Sequence, residues 1–194
     1  MKVLVLPGSV RRESLNRKLA RLASDALTRA GLAADPAELR DFDAPLYDGD
    51  LEAEQGIPAG TLALRDRLRA TGALCLVTPE YNHSIPAPVK NAIDWLSRVR
   101  PSPLKGVPTL VLSASPSLAG GTRAARAVRA PLETNGAFVF PGTFSLSQAN
   151  QAFADDGSLR DAKLAVRLDA VVREFVAFAR AVAPVVTRRP DLAG

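Results

Sequence analysis

Residues 4–16 read LVLPGSVRRESLN, and the organisation of the chain can be built outward from this stretch. The apolar run at residues 3–6 predicts a buried strand, which Pro7 and Gly8 end. From Leu15 onwards, apolar residues recur at spacings of four and three, which predicts a helix. A loop that leads into a helix presents free N–H groups and the positive end of the helix dipole. Both features favour an anion at this point of the chain.

The polar residues of this loop supply the donors that a phosphate group needs. Ser9, Arg11, Ser14 and Asn16 offer hydroxyl, guanidinium and amide groups, and an arginine can bind a phosphate through two parallel hydrogen bonds. The loop therefore predicts a phosphate site. The alternative is an ordinary turn between a strand and a helix, with Ser14 as the N-cap residue.

Further strands and helices alternate along the chain. We predict strands at residues 3–6, 34–40, 73–78, 107–113 and 137–140. We predict helices at residues 14–30, 61–70, from Pro88 onwards, 122–134 and 164–182. Residues 41–58 are rich in Asp, Pro and Gly and lack the calcium-binding pattern of an EF-hand, so we expect a solvated acidic loop. The alternation predicts one α/β domain with a parallel sheet over residues 1–187, followed by a mobile tail at 188–194.

Polar loops follow the first, third and fourth predicted strands. They lie at residues 7–16, 79–88 and 114–121. Ligands of such α/β folds bind beyond the carboxyl ends of the strands, so we expect the site where these loops meet.

Composition excludes several classes of function. The 194 residues carry a net charge of +5, which suits an anionic ligand, but aromatic residues are only 5%, so nucleic-acid binding is not expected. One cysteine, Cys75, lies in an apolar run, and one histidine, His83, lies in a loop; neither supports a catalytic metal. No signal sequence or membrane-length apolar run is evident, so we expect a cytoplasmic protein.

Several familiar motifs are missing from the sequence. There is no P-loop, no GxGxxG after the first strand and no GxSxG.

Other motifs occur in order along nearly the whole chain. They are GSxRxxSxN from Gly8, PEYNxSxP from Pro79, KNAIDW from Lys90, SASP from Ser113 with Gly120, Gly121 and Arg123 after it, and the segment from Gln148 to Gly157. Together these motifs resemble the NAD(P)H-dependent FMN reductase family, a flavodoxin-like group that includes bacterial chromate and quinone reductases. Ser117 departs from the glycine that relatives often carry at its position.

The resemblance implies a flavodoxin-like three-layer sandwich with a five-stranded parallel sheet, and FMN as the cofactor. It implies that the FMN phosphate is held by the first motif, and that the isoalloxazine ring is held by backbone groups of the second motif, with Ser115 on the other side of the ring. The implied cofactor-binding residues are Ser9, Arg11, Ser14, Leu15, Asn16, Pro79, Glu80, Tyr81, Asn82 and Ser115. The family resemblance also implies a homodimer or homotetramer.

The predicted function is that of an FMN-dependent oxidoreductase. NADPH or NADH would give hydride to the flavin, which would reduce a small-molecule acceptor such as a quinone, free flavin, azo dye, chromate or oxygen. We expect no side chain to act as an obligatory general acid or base. The alternatives are a flavodoxin-type electron carrier without turnover of its own, and a phosphate- or nucleotide-binding module without a redox role. The basic net charge argues against the carrier.

For several residues the sequence allows two interpretations. Glu80 could accept a hydrogen bond from the ring edge or be a solvated carboxylate, and Tyr81 could contact the ring or pack within the protein. Lys90 and Asp94 have the spacing of a helical ion pair. A set of arginines at spacings of three could meet the 2′-phosphate of NADPH, although a solvated basic face is the favoured interpretation: Arg123, Arg126 and Arg129.

Overall fold

A computed structural model describes residues 1–187, so the predicted tail at 188–194 lies outside the described residues. Within this range the strands form one five-stranded sheet in which all neighbours pair in parallel. The strands are β1 (Lys2–Pro7), β2 (Ala33–Pro36), β3 (Leu74–Thr78), β4 (Pro108–Ala114) and β5 (Phe138–Leu146). Their spatial order is β2-β1-β3-β4-β5, which is the flavodoxin-like order. The predicted α/β fold is confirmed.

Helices cover both faces of the sheet. They are α1 (Leu15–Arg29), α2 (Gly49–Gln55), α3 (Ala59–Thr71), α4 (Ala87–Leu96), α5 (Thr122–Ala127), α6 (Arg129–Thr134), α7 (Ala149–Ala152) and α8 (Ala162–Thr187). A short 3₁₀ turn at Leu39–Phe42 follows β2.

Two apolar cores lie on opposite faces of the sheet, because successive side chains of a strand point to opposite sides. In β1, Val3 and Val5 belong to the core beneath α1 and α8, whereas Leu4 and Leu6 belong to the core beneath α3 and α4. β3 and β4 are buried along their whole length, as expected for central strands covered on both faces. The result is the predicted three-layer sandwich.

The last helix covers the first of these cores. Its predicted apolar stripe is confirmed, with Leu168 and Phe175 buried and Phe178 packed beside them. No helix in residues 1–187 combines the length and the apolar character that a membrane crossing requires.

The segment after β2 is more ordered than a solvated acidic loop. Residues 49–55 form α2, and the Asp48 carboxylate caps this helix by accepting a hydrogen bond from the Asp50 N–H at 2.8 Å. The expectation of a loop throughout residues 41–58 is therefore wrong. Asp48 was the signal in the sequence, since aspartate is a favoured N-cap residue.

Prolines account for two differences between the predicted and the observed bounds of elements. The predicted helix at residues 122–134 is divided into α5 and α6 at Val128, since Pro131 has no N–H and its ring crowds the carbonyl of Ala127. The last strand continues beyond Phe140 to Leu146, and a register shift opposite Thr109 and Val111 accommodates Pro141. β5 is an edge strand, where proline is tolerated.

Candidate active site

Three loops meet at the carboxyl edge of the sheet. They are the first loop (residues 8–14) after β1, the second loop (residues 79–86) after β3 and the third loop (residues 115–121) after β4. Because these strands are adjacent in the order β1-β3-β4, the ends of the loops lie side by side. The sheet thus brings together the three sets of residues that the sequence marked.

The first loop begins at a position that admits only glycine. The Gly8 N–H donates to the Val77 carbonyl at 2.9 Å, and a Cβ atom at Gly8 would overlap Val89 Cγ2 of α4. The loop therefore runs directly against α4, which fixes the path of the residues that follow.

Hydroxyl groups and a free N–H converge at the start of α1. Ser9 and Ser14 are 3% and 5% exposed. The Ser14 hydroxyl oxygen accepts from the N–H groups of Asn16 at 3.2 Å and Arg17 at 3.4 Å, so Ser14 is the N-cap of α1. Its own O–H hydrogen is left to donate. The Leu15 N–H makes no hydrogen bond among residues 1–187. Arg11, four residues earlier in the chain, is exposed.

Two arginines bind carbonyl oxygens of the first loop. Arg40 donates to the Val10 carbonyl, and Arg17 donates to the Arg12 carbonyl at 3.1 Å while also pairing with Glu38 at 2.7 Å. These bonds restrain the loop, so its donors are held in place before any ligand arrives.

Asn16 joins the first loop to the third. Its side chain is buried, and its amide oxygen accepts from the Ala114 N–H at 2.9 Å while its NH₂ group donates to the Ala114 carbonyl at 3.0 Å. The amide thus faces the end of β4. A phosphate contact by Asn16 stays a prediction, and the structure adds a positioning role that the sequence did not indicate.

The second loop contains a tight two-residue turn. Tyr81 and Ser84 exchange backbone hydrogen bonds at 3.2 and 3.0 Å, and Asn82 and His83 both have positive φ, at 49° and 62°. Residues other than glycine seldom adopt this conformation, and it is common at functional sites. Within the described chain, the N–H groups of Glu80, Asn82 and His83 donate to no protein acceptor.

Glu80 does not have the solvated carboxylate that one interpretation of the sequence allowed. Its side chain is 6% exposed. The carboxylate accepts from the N–H groups of Arg123 at 2.9 Å and Ala124 at 3.3 Å, and from the Arg123 guanidinium at 3.2 Å. Glu80 thus reaches from the second loop to the first turn of α5.

The third loop holds a pair of serines. The Ser115 hydroxyl donates to the Ser117 hydroxyl at 3.1 Å and accepts from the Ser117 N–H at 3.2 Å. Ser117, which stands where relatives often carry glycine, thus holds the Ser115 hydroxyl within the loop.

The end of the third loop requires glycine. Gly120 has a φ of 61°, and a Cβ atom there would lie 2.8 Å from the Leu146 carbonyl carbon.

The arginines at 123, 126 and 129 do not form one surface. Arg123 is engaged by Glu80, and Arg129 donates to the carbonyls of Phe140 at 2.9 Å and Val139 at 3.2 Å. Arg126 is exposed. The predicted solvated basic face is therefore reduced to Arg123, which is exposed although paired with Glu80, and Arg126. A 2′-phosphate contact stays a prediction, and Arg126 is the arginine of this set without an ion pair or carbonyl partner among the described residues.

Side chains of the KNAIDW motif form hydrogen bonds with the backbone of the segment at residues 43–55. The Asn91 side chain accepts from the Tyr47 N–H at 2.8 Å and donates to the Pro45 carbonyl at 2.9 Å, and Trp95 Nε1 donates to the same carbonyl at 2.7 Å. The Lys90–Asp94 ion pair is confirmed at 2.7 Å. A groove of about 560 Å³ lies between this segment, the first loop and α4, with Val10, Leu46 and Ala87 among its walls.

Among the groups with shifted pKa values, Cys75 and the pair of Tyr47 and Glu52 bear on the site. Burial raises the pKa of the Cys75 thiol to about 12, which confirms the inert, buried cysteine. Beside the groove, a hydrogen bond to Glu52 raises the pKa of Tyr47, and the hydrogen bond from Arg98 lowers the pKa of Glu52. His83 is exposed, as expected for a polar surface residue.

Comparison with known proteins bears directly on this arrangement. A family model described as NADPH-dependent FMN reductase matches residues 1–151. The chain belongs to this family. FMN and a reduced nicotinamide are the cofactor and electron donor that membership in the FMN reductase family implies.

The relatives include enzymes of bacteria. A quinone reductase of Pseudomonas putida is 40% identical over 181 residues, which are 92% of this chain and 94% of that protein. A quinone reductase of Escherichia coli K12 is 42% identical over 124 residues, and the match spans 63% of this chain and 64% of the E. coli protein. The flavoenzyme NAD(P)H:(acceptor) oxidoreductase FerB of Paracoccus denitrificans has a TM-score of 0.80 at 33% identity, covering 93% of this chain and 97% of that one.

The residues of the first loop fit the cofactor of the FMN reductase family. A phosphate dianion requires cationic and O–H or N–H donors. Ser14 and the Leu15 N–H lie at the N-terminus of a 15-residue helix, where the helix dipole also favours negative charge. Ser9, whose hydroxyl oxygen accepts from the Arg11 N–H at 3.4 Å, and Arg11 belong to the loop that leads into this helix. The unpaired N–H groups of the second loop suit the polar edge of a flat, uncharged ring.

Proposed function

We propose that this protein is an FMN-dependent oxidoreductase that takes hydride from NADPH or NADH and reduces a small-molecule acceptor, a quinone or a flavin. The observation that carries this proposal is the donor set of the first loop beside the turn of the second loop. Family membership and the names of the Pseudomonas and Paracoccus relatives support it.

The protein's own residues would bind and orient the cofactor. Ser9, Arg11 and Ser14 bind the phosphate, with the Leu15 N–H at the helix start. The N–H groups of Glu80, Asn82 and His83 hold the polar ring edge, Tyr81 contacts the ring, and Ser115 contacts it from the third loop. Pro79 gives the second loop its direction as it leaves β3. When bound, FMN supplies a two-electron acceptor to which a nicotinamide can transfer hydride directly.

The reaction would proceed without an obligatory acid or base from the protein. His83 is exposed, the Glu80 carboxylate is engaged by three donors, and Cys75 is buried with its pKa raised to about 12. The chain's contribution is then to orient the two rings and to hold donors where charge develops.

Chromate, azo dyes and oxygen stay predicted acceptors, and the choice between NADPH and NADH stays open. A homodimer or homotetramer in the cytoplasm is likewise a prediction from the sequence. The second candidate function is a flavodoxin-type electron carrier. The net charge of +5 disfavours it, since a carrier that docks on basic partners gains from a negative surface.

Anaerobic flavin reduction tests the proposal. The purified protein is loaded with FMN, the bound flavin is identified by mass, and NADPH or NADH is added while the flavin absorbance is followed. We expect stoichiometric FMN and rapid bleaching, followed by recovery of colour when a quinone is added. FMN that binds but is not reduced by either nicotinamide would favour the carrier. No uptake of FMN would favour a phosphate-binding module.

A further inference from the structure

Glu80 connects the second loop to the first turn of α5, where its partner Arg123 lies 43 residues further along the chain. Its backbone belongs to the second loop, directly before the turn at Tyr81–Ser84. Its carboxylate is bonded to the first turn of α5, which follows the third loop without a break. The connection is nearly excluded from water, since the side chain of Glu80 is 6% exposed.

The start of α5 has no cap of its own. Its N-cap residue is Gly121, which has no side chain to accept hydrogen bonds and has a φ of 87°. An N-cap side chain normally accepts from the second or third N–H of the helix. In α5 these N–H groups belong to Arg123 and Ala124, and both donate to the Glu80 carboxylate. Glu80 thus replaces the missing cap from a different loop.

The second and third loops are also strained or restrained by features other than Glu80. On one side, Asn82 and His83 hold positive φ values, a conformation that persists only where the surroundings impose it. On the other side, the Gly120 carbonyl accepts from the Ser113 hydroxyl at 2.9 Å, which fixes the third loop to β4. A carboxylate that joins the two loops sets the distance between them.

We propose that Glu80 is a positioning residue that fixes the second loop against the third and so preorganises the ring-binding part of the site. The inference rests on the proposed function. It differs from a role at the ring edge, because both carboxylate oxygens are bonded to α5. Preorganisation raises affinity by lowering the cost of ordering the loops when a ligand binds.

Four variants separate the parts of this connection. Glu80→Ala removes the acceptor, whereas Glu80→Gln keeps one oxygen that can accept from the α5 N–H groups. Arg123→Gln removes the ion pair but keeps the backbone N–H of residue 123. Arg126→Gln is the matched control, because it changes an exposed arginine of the same helix that makes no contact with Glu80.

The first measurement is amide hydrogen exchange of the FMN-free proteins. We expect Glu80→Ala to speed exchange in two separate peptides, one covering residues 80–85 and one covering residues 121–126, and Glu80→Gln to restore most of the protection. Arg126→Gln should match the parent. Unchanged exchange of the second-loop peptide in Glu80→Ala would overturn the proposal. If Glu80→Ala does not fold, Glu80→Asp carries the same test, because its shorter side chain reaches the α5 N–H groups less well. Both peptides should then exchange faster than in the parent, and parent-like exchange in both would overturn the proposal.

The second measurement is FMN affinity, with the visible circular dichroism of the bound flavin as a signature of ring placement. Loss of an N-cap is worth about tenfold, so Glu80→Ala should weaken FMN binding about tenfold and change the flavin spectrum. Arg123→Gln should stay within about fivefold, as an exposed ion pair contributes little. Parent-like affinity and spectrum in Glu80→Ala would overturn the positioning role. A parent protein that takes up no FMN would overturn the proposed function, while the exchange measurement would still decide whether Glu80 joins the loops.

Discussion

The side-chain amide of Asn16 makes both of its hydrogen bonds with the backbone of Ala114, 98 residues further along the chain. The pair fastens the start of α1 to the end of β4 in a buried position, and its removal would leave a backbone N–H and a carbonyl without partners. Each unsatisfied buried group costs about 1–3 kcal/mol. We therefore expect Asn16→Ala to lower the free energy of unfolding by about 2–6 kcal/mol.

Urea denaturation of FMN-free protein checks this expectation. Asn150→Ala is the control, because Asn150 is exposed, and such a change should stay within about 0.5 kcal/mol of the parent. Asn16→Asp should also destabilise, since a carboxylate can accept from the Ala114 N–H but repels the Ala114 carbonyl. An Asn16→Ala variant as stable as the parent would contradict the importance of the pair.

Arg11 is predicted to anchor the cofactor phosphate. A hydrogen bond to a charged group contributes about 1.5–3 kcal/mol, so Arg11→Ala should weaken FMN binding about ten- to hundredfold. Arg12 is an exposed neighbour, and Arg12→Ala serves as the control. Fluorescence titration of FMN measures both. Equal affinities for the two variants would mean that Arg11 is an ordinary surface residue.

The absence of an obligatory acid or base can be tested by flavin reduction. Loss of a true general acid or base costs about 10²–10⁴-fold in rate. We expect His83→Ala and Glu80→Gln, each saturated with FMN, to be reduced within about tenfold of the parent rate in stopped-flow experiments. A hundredfold loss in either variant with FMN still bound would identify a missed catalytic residue.

Because of Cys75, the stability of the folded protein should depend on pH in the alkaline range. Burial raises the pKa of the folded thiol from 9.0 to about 12, so the folded state retains a proton that the unfolded state releases. Stability from this group is complete below about pH 9 and declines as the pH rises towards 12. In Cys75→Ala this part of the decline should disappear in thermal unfolding measured from pH 8 to 11. Iodoacetamide should label the parent at pH 8 only when denaturant is present; rapid labelling of the native protein would refute the buried thiol.

A side chain at position 8 would clash with Val89, and a smaller residue at position 89 should relieve the clash. Gly8→Ala forces a Cβ atom against Val89, and overpacking of this kind costs about 1–3 kcal/mol. In the double variant Gly8→Ala/Val89→Ala the loss should be smaller than the sum of the single losses. Gly49→Ala is the control, because its Cβ atom would be 3.9 Å from the nearest group, Tyr47 Oη. Additive losses in unfolding free energy would rule out the contact.

The fold was largely predictable because its signals are local. Apolar runs bounded by glycine and proline located β1, β3 and β4, and Ser14 marked the start of α1 in the sequence as it does in the structure. The errors arose at single residues whose local effect was not recognised, such as the N-cap Asp48 and two prolines. Pro131 divides a helix through the carbonyl of Ala127, and Pro141 stays within β5 because a bulge at the sheet edge accommodates it.

The site was predictable as a set of loops but not as a set of contacts. The βα alternation predicts a parallel sheet, whose carboxyl ends share one edge, and the observed strand order sets the three loops side by side at that edge. The partner of Glu80 lies 43 residues away and that of Asn16 lies 98 residues away, and no periodicity encodes such pairs. Polar residues in the three loops therefore suggested ligand contacts, whereas the structure uses two of them to hold the loops in place.

Several arginines of this protein donate to backbone carbonyls. Arg40 binds the Val10 carbonyl, Arg17 binds that of Arg12, and Arg129 binds two carbonyls of β5. Lysine carries the same charge but lacks the planar, forked guanidinium. Replacement of these arginines by lysine would therefore preserve the net charge at pH 7 while loosening the first loop and the sheet edge. At these positions the guanidinium contributes by its shape as much as by its charge.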